Sequence, residues 1–229
     1  MSASSGQTPA AIRIVTLVAV TLLGAALAVV MFDLPSPTTR LAQSVQQHLA
    51  DSGVRHPVTA VLLNFRAYDT LLEIAVLLLA VFGVLALRAR ADHDAGPPAT
   101  GPTPVLAALV HLLVPVMVVL AGYLLWAGAH RPGGAFQAGA VLAAAGVLLR
   151  LTSLWTLALP PSALTRIGLL LGLVVFLGVA LGASLAGGVL LELPRAWAGE
   201  LILLIEATLS VSIGLMLLGL FSAAPAPGR

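Results

Sequence analysis

Two acidic side chains interrupt long apolar segments, and they are the first candidates for chemistry in this sequence. Glu73 lies in the run Leu71 to Leu87, and Glu206 lies in the run Leu201 to Phe221. A carboxylate at membrane depth can take up a proton or contact a cation, and acids there are costly and usually functional. His111, in a third apolar run, could relay a proton.

Each of these side chains also has a structural explanation. Glu73 is the last residue of a Thr-x-x-Glu capping box, in which its carboxylate accepts a backbone N–H at a helix start. Glu206 could make an interhelical hydrogen bond, and His111 could be a helix-packing histidine. Arg66 and Asp69, just before Glu73, predict a surface ion pair, and they could also form the mouth of an ion path.

The composition identifies the elements that must position these side chains. Of 229 residues, 59% are hydrophobic and 9% are charged, and the mean hydropathy is +1.07. Such values are typical of an integral membrane protein. Six apolar runs are each close to the roughly 20 residues of a membrane-spanning α-helix. They lie at 14–32, 71–87, 105–129, 132–149, 167–191 and 201–221. The prediction is an all-α integral membrane protein with about six transmembrane helices.

The connecting segments predict the domain organisation. Pro, Gly and Ala dominate the connection after the second run, which is typical of a linker. The predicted parts are a two-helix part at 1–90, a linker at 91–104, a four-helix domain at 105–221 and a tail at 222–229. In the front part, Thr38 to Leu49 predicts a short surface helix. The stretch Val58 to Phe65 is apolar but too short to span a bilayer, so we expect it at the interface or re-entering the membrane.

The sequence lacks the residues of several function classes. It has no cysteine, which excludes disulfides, thiolate metal sites and cysteine nucleophiles. The basic residues are scattered and form no face for nucleic acid. No hydrolase motif, phosphate loop or metal-ligand spacing is present. We therefore expect no enzyme activity, no catalytic residue, no metal and no cofactor in this chain.

A short polar turn separates the third and fourth apolar runs. Its predicted structural residues are Pro132, Gly133, Gly134 and Phe136. A helix does not continue through Pro and two Gly, so this segment predicts a tight interhelical turn. The residues that follow, Ala135, Gly139 and Ala143, are small and four apart, a spacing that predicts close contact with another helix.

This turn resembles the signature of the MnhB/MrpB component of Mrp-type multisubunit cation/proton antiporters. That signature runs roughly Gly-His-Asn-x-Pro-Gly-Gly-Gly-Phe and precedes a helix of small residues. The matching residues are Gly128, Pro132, Gly133, Gly134 and Phe136. The departures are Ala129, His130 and Ala135. Further along, Leu204-Ile205-Glu206 is similar to the Ile-Glu element of the same component.

The front part resembles a neighbouring piece of the same assemblies. Val58 to Glu73 is similar to an element at the C-terminal end of the large antiporter subunit, which forms a separate small subunit in membrane-bound hydrogenases. The matching residues are Phe65, Arg66, Asp69, Thr70 and Glu73, whereas Leu72 replaces a Gly.

The two resemblances imply a non-catalytic membrane subunit of a cation/proton antiporter that contributes to the ion path and to assembly. The implied partners are other subunits, the lipid bilayer, protons and a monovalent cation such as Na⁺. The alternative is a structural or ion-translocating subunit of a related redox-driven complex. The location implied is the plasma membrane of a prokaryote. Arg88 and Arg90 adjoin a helix end and favour cytoplasmic termini.

Overall fold

The structure of this protein is a computed structural model that describes residues 10–33, 40–88, 103–152, 163–185 and 190–223. All regular structure in these ranges is helical. The α-helices are α1 (Ala10–Phe32), α2 (Leu41–His48), α3 (Pro57–Ala60), α4 (Ala67–Arg88), α5 (Pro104–Ala127), α6 (Ala135–Leu151), α7 (Ala163–Leu185) and α8 (Ala198–Ala223). A 3₁₀ turn at Leu49–Asp51 follows α2, and a π-helical turn at Val61–Phe65 joins α3 to α4. The all-α prediction is confirmed.

Within the described ranges, five helices are long and apolar enough to cross a membrane: α1, α4, α5, α7 and α8. The sixth apolar run forms α6, which has 17 residues and is shorter. The chain is therefore a multi-pass membrane protein. Most of the predicted linker at 91–104 and most of the predicted tail at 222–229 lie outside the described residues.

Local sequence explains where two of these helices begin. Thr103 is the residue before α5, and its hydroxyl oxygen accepts the backbone N–H of Leu106 at 3.4 Å. Pro104 occupies the first helical position, where its missing N–H is not needed. α3 also has a Pro in its first turn, Pro57, but no side chain caps it.

The chain forms two compact units, Met1–Leu41 and Ala42–Arg229. The first contains α1, whose residues Ile14–Phe32 form a candidate span without a charged side chain. The second contains α4 together with α5 to α8. In this second unit, α8 packs against α4, α6 and α7, and α5 packs against α6. α8 is therefore the central helix of the second unit.

The buried face of α8 consists of large apolar side chains three or four residues apart. Its members are Ile202, Ile205, Leu209, Ile213 and Met216, each at most 1% exposed. This spacing puts them on one side of an α-helix. In a membrane, however, the lipid is as apolar as these side chains, so close packing and not escape from water holds the helices together.

Glycines allow α6 and α7 to approach α8 closely. A Cβ atom at Gly139 would lie 2.8 Å from the Cβ atom of Ile213, and one at Gly172 would lie 2.7 Å from Cδ2 of Leu209. Ala135 and Ala143, on the same row as Gly139, are also buried. The prediction that these small residues form a helix contact is confirmed.

A buried serine links α7 to α8. The Ser212 hydroxyl accepts the Gly172 backbone N–H at 3.1 Å and lies 2.8 Å from both the Gly168 and Leu169 carbonyl oxygens, to which it can donate. Because interhelical hydrogen bonds in membranes contribute about 1 kcal/mol, we expect Ser212→Ala to lower the melting temperature of the purified complex by about 2–4 °C.

Ser210→Ala is the matched control for this substitution. Ser210 is a buried serine on the same helix, but its hydroxyl donates at 2.7 Å to the Glu206 carbonyl of α8 itself. We expect no more than a small change in melting temperature for this variant. Equal effects of the two substitutions would contradict a stabilising role for the link between helices.

Candidate functional site

The turn between α5 and α6 folds back tightly on the end of α5. The backbone N–H of Gly134 donates to the Leu124 carbonyl oxygen at 2.9 Å. Gly134 is the N-cap residue of α6, and its φ of 109° and ψ of −168° lie in a region that only glycine adopts readily. No side chain of the turn caps α6. The start of this helix therefore needs an acceptor from elsewhere in the chain.

Glu206 provides that acceptor from α8. The Ala135 backbone N–H, the first of α6, donates to the Glu206 carboxylate. The Oε1 atom lies beside Gly134, where an added Cβ atom would come within 2.5 Å of it. Glu206 is only 4% exposed. A helix start carries partial positive charge, so a carboxylate is stabilised at this position.

Two hollows meet at Glu206. The smaller one has a volume of about 90 Å³, and its polar lining includes Thr59, Thr70 and Gln137. A water molecule needs only about 15 Å³, so this cavity has room for several. The larger hollow, of about 300 Å³, has the charged or polar residues Arg55, His130 and Glu200 in its lining. Hydrogen-bonding groups thus face the carboxylate from two directions.

Residues of the predicted front part help to build this site. The Thr59 hydroxyl donates to the Gly128 carbonyl oxygen at 2.6 Å. The backbone N–H groups of Arg55 and His56 donate to the Ala129 carbonyl oxygen at 2.9 and 3.1 Å. These bonds tie the segment before α4 to the turn after α5, so both parts of the chain line the hollows around Glu206.

Glu73 has different surroundings from those expected of a helix cap. α4 begins at Ala67, six residues before Glu73, and Thr70 lies inside the helix. The Thr70 hydroxyl donates instead to the Leu62 carbonyl oxygen at 2.7 Å. The interpretation of Thr-x-x-Glu as a capping box is therefore wrong, because the helix starts one turn earlier than that motif requires.

An open cleft beside α4 holds Glu73 and Asp69. It has a volume of about 780 Å³ and an otherwise apolar lining. Asp69 forms an ion pair with Arg66 at 2.6 Å, and both side chains are well exposed. Phe136 lines both this cleft and the smaller hollow next to Glu206. The predicted site residues thus fall into two neighbouring groups, one at Glu206 and one at Glu73.

His111 lies apart from both groups. It is exposed in the second turn of α5, and its Nδ1 atom is 2.7 Å from the Ala107 carbonyl oxygen one turn earlier. In the part of the chain that the structure describes, no group of three or more His, Cys, Asp or Glu side chains could hold a metal ion.

The polar groups around Glu206 were not among the predicted site residues. They include Arg55, Thr59, Gln137 and Glu200. One signal for this site was present in the sequence. α6 begins after two glycines, without the Ser, Thr, Asp or Asn that normally caps a helix. A missing cap indicates that another element provides the acceptor, but it does not identify that element.

Comparison with known proteins gives one family and two similar structures. Residues 105–223 match the family described as "Domain related to MnhB subunit of Na+/H+ antiporter". A chain of the membrane-bound sulfane sulfur reductase, an archaeal respiratory membrane complex, is 25% identical, with a TM-score of 0.69 over 92% of this chain and 97% of that chain. No curated protein sequence matches.

The second similar structure is the Mrp complex from Dietzia sp. DQ12-45-1b. It is 19% identical, with a TM-score of 0.70, and the match covers 97% of this chain but only 27% of that chain. At this identity the likeness shows the fold alone. The family match extends over more than half of the sequence. The chain therefore belongs to the family of MnhB-related domains and is a membrane subunit of an Mrp-like, antiporter-type complex.

Proposed function

We propose that this protein forms part of the ion path of a complex that exchanges a monovalent cation such as Na⁺ for H⁺, and that Glu206 is its ion-exchanging group. The observation that carries the proposal is a buried carboxylate on a membrane helix, in contact with two hollows. The protein itself is not an enzyme in this proposal. Its complex lies in the plasma membrane of a prokaryote, with both termini of this chain in the cytoplasm.

The depth of Glu206 supports an ion-handling role. It follows Ala198, the first residue of α8, by eight residues, or about 12 Å along the helix. An ionisable group at such depth is costly and usually belongs to a pathway. Water in the hollows would connect the carboxylate to Arg55 and His130 on one side and to Thr70 and Gln137 on the other.

The second acidic group extends this proposed path. Glu73 and Asp69 line the neighbouring cleft, and Phe136 lies between that cleft and the Glu206 cavity. Movement of the Phe136 ring would join the two spaces, with Arg66 paired to Asp69 at the outer end. The proposal leaves His111 out of the path, because its ring contacts a carbonyl of its own helix.

A second candidate function is that of an ion-translocating or structural subunit in a redox-driven complex. One observation favours it. The match with the similar chain of the sulfane sulfur reductase complex covers 92% of this chain and 97% of that chain. If this candidate is correct, the purified complex will contain flavin or iron–sulfur absorbance, and an electron donor will drive cation movement. An antiporter will show neither property.

The substitution Glu206→Gln tests the ion-path proposal. Gln keeps an oxygen that can accept the Ala135 N–H, but it cannot carry a charge or exchange a proton. We expect the variant complex to assemble normally and to show at least about tenfold slower cation/proton exchange, since intramembrane charges mark ion pathways. The measurement is the cation-induced collapse of a pH gradient in inverted membrane vesicles.

Glu200→Gln is the matched control. Glu200 is also on α8 and also lines the larger hollow, but it is exposed in the first turn of the helix. We expect its exchange rate to stay within about twofold of wild type, because an exposed charge is well solvated. Wild-type exchange by a fully assembled Glu206→Gln complex would show that Glu206 only caps α6.

A further inference from the structure

We propose that the cleft beside Glu73 is the docking site for a transmembrane helix of another subunit, and that this helix presents a basic side chain to the Glu73 carboxylate. We call this space the α4 cleft. Glu73 and Val76 of α4, Phe136 of α6 and Ile213 of α8 line it. The inference does not depend on Glu206 as the ion-exchanging group, and it makes the Glu73 end of the proposed path a charge pair with the neighbouring subunit.

The shape of the α4 cleft fits one helix. The α4 residues that line it extend from Asp69 to Ala80, which is about 16 Å, or three helical turns. Ile213 and Leu217 of α8, one turn apart, form the opposite wall. A groove between two neighbouring helices is where the side chains of a third helix pack. Its volume of about 780 Å³ accommodates several large side chains.

The charge in the cleft specifies what the docking helix must carry. Glu73 is exposed, and it has no hydrogen-bond or ion-pair partner among the described residues. Asp69, one turn before it, is already paired with Arg66. Glu73 lies about 9 Å along α4 from Ala67, inside a candidate span. A carboxylate at this depth needs a paired charge, so a wholly apolar helix does not fit the cleft.

The central parts of the described membrane helices of this chain do not supply that charge. Residues 14–32 of α1 contain no charged side chain. The arginines of the described helices are all at helix ends: Arg13 in the first turn of α1, Arg88 at the end of α4, Arg150 in the last turn of α6 and Arg166 in the first turn of α7. His111 is close to the start of α5, whereas the start of α4 lies near the turn after α5, because Thr70 and Gly133 line the same hollow. A parallel second copy would therefore place His111 and Glu73 in opposite halves of the membrane.

Cross-linking in the assembled complex tests the proposal. A photo-reactive amino acid replaces Val76 in the cleft or, as the control, Val174 on α7. The two valines are 64% and 60% exposed, so they differ in location and not in accessibility. We expect the probe at 76 to react with a transmembrane peptide of another subunit that contains Arg or Lys, and the probe at 174 to give products of its own that lack this peptide. Products with lipid only, with α1, with a second copy or with a peptide lacking a basic residue would overturn the proposal.

Reversing the two charges distinguishes charge pairing from simple packing. We expect Glu73→Arg to reduce the cross-link from position 76 by about tenfold or more, as loss of a desolvated charge pair does. The cross-link from position 174 reports whether the variant still folds and inserts. Replacing the partner's basic residue by Glu should restore the cross-link in the Glu73→Arg complex. Failure of this rescue in a complex with a normal cross-link at 174 would overturn the charge pairing.

Discussion

Gly139→Leu is expected to abolish assembly of the complex while leaving the chain inserted in the membrane. An added Cβ atom at this position would lie 2.8 Å from the Cβ atom of Ile213 and 3.1 Å from the Ser210 carbonyl oxygen. The carbonyl belongs to the backbone of α8, which cannot move aside without separating α6 from the central helix. Overpacking of this kind costs about 3 kcal/mol or more. Native gel electrophoresis of detergent-solubilised membranes measures the assembled fraction.

Gly178→Leu is the control for this prediction. Gly178 lies in the middle of α7, and an added Cβ atom there would meet no atom within 4 Å. We expect the Gly178→Leu chain to assemble as well as wild type. The packing explanation fails if the two leucine substitutions reduce assembly equally, because the effect would then come from added hydrophobic bulk in any membrane helix.

Gly134→Ala is expected to destabilise the complex and to slow transport. The φ of 109° and ψ of −168° at this position are strained for a residue with a side chain, at a cost of about 1–3 kcal/mol. The new methyl group would also displace the Glu206 carboxylate from the start of α6. We expect the melting temperature of the purified complex to fall by about 5 °C, together with a loss of cation/proton exchange in vesicles.

Further variants separate the causes of this effect. Gly182→Ala changes a glycine of α7 that has open space around it, and we expect no loss of stability because Ala favours the helix. In the double variant Gly134→Ala/Glu206→Ala, the contact with the carboxylate is gone but the unfavourable φ remains. Because Glu206→Ala alone removes the acceptor for the Ala135 N–H, this single variant is the reference, and the double variant should melt below it. Equal melting temperatures of Glu206→Ala and the double variant would contradict a backbone cause.

Local chemistry was enough to predict the helices and the turn between two of them. The apolar runs predicted the membrane helices because about 20 consecutive apolar residues, as an α-helix, match the thickness of the hydrocarbon core of a bilayer. The predicted surface helix at 38–49 contains α2, and residues 38 and 39 lie outside the described ranges. Helix starts were less predictable. Thr70 looked like a cap because its hydroxyl and Glu73 have the right spacing, but Thr70 bonds to Leu62 instead.

Short sequence patterns did not predict which helix packs against each buried helix face. In a soluble helix, the apolar side indicates which face is buried, but a membrane helix is apolar on all sides. α8 has a buried face and a lipid-facing side of similar composition, with Leu209 and Ile213 inside and Leu203 and Leu204 exposed. Only small residues such as Gly139 gave a local indication of contact, because they allow close approach.

The sequence by itself determined that this chain is a multi-pass helical membrane protein, with acids in two of its helices and a glycine turn before α6. These properties depend on residue type and short spacing. Only the tertiary structure decided that Glu206 is buried against the start of α6 while Glu73 faces an open cleft. The physical reason is that the solvation of a carboxylate depends on groups far away in sequence, here 71 residues away at Ala135.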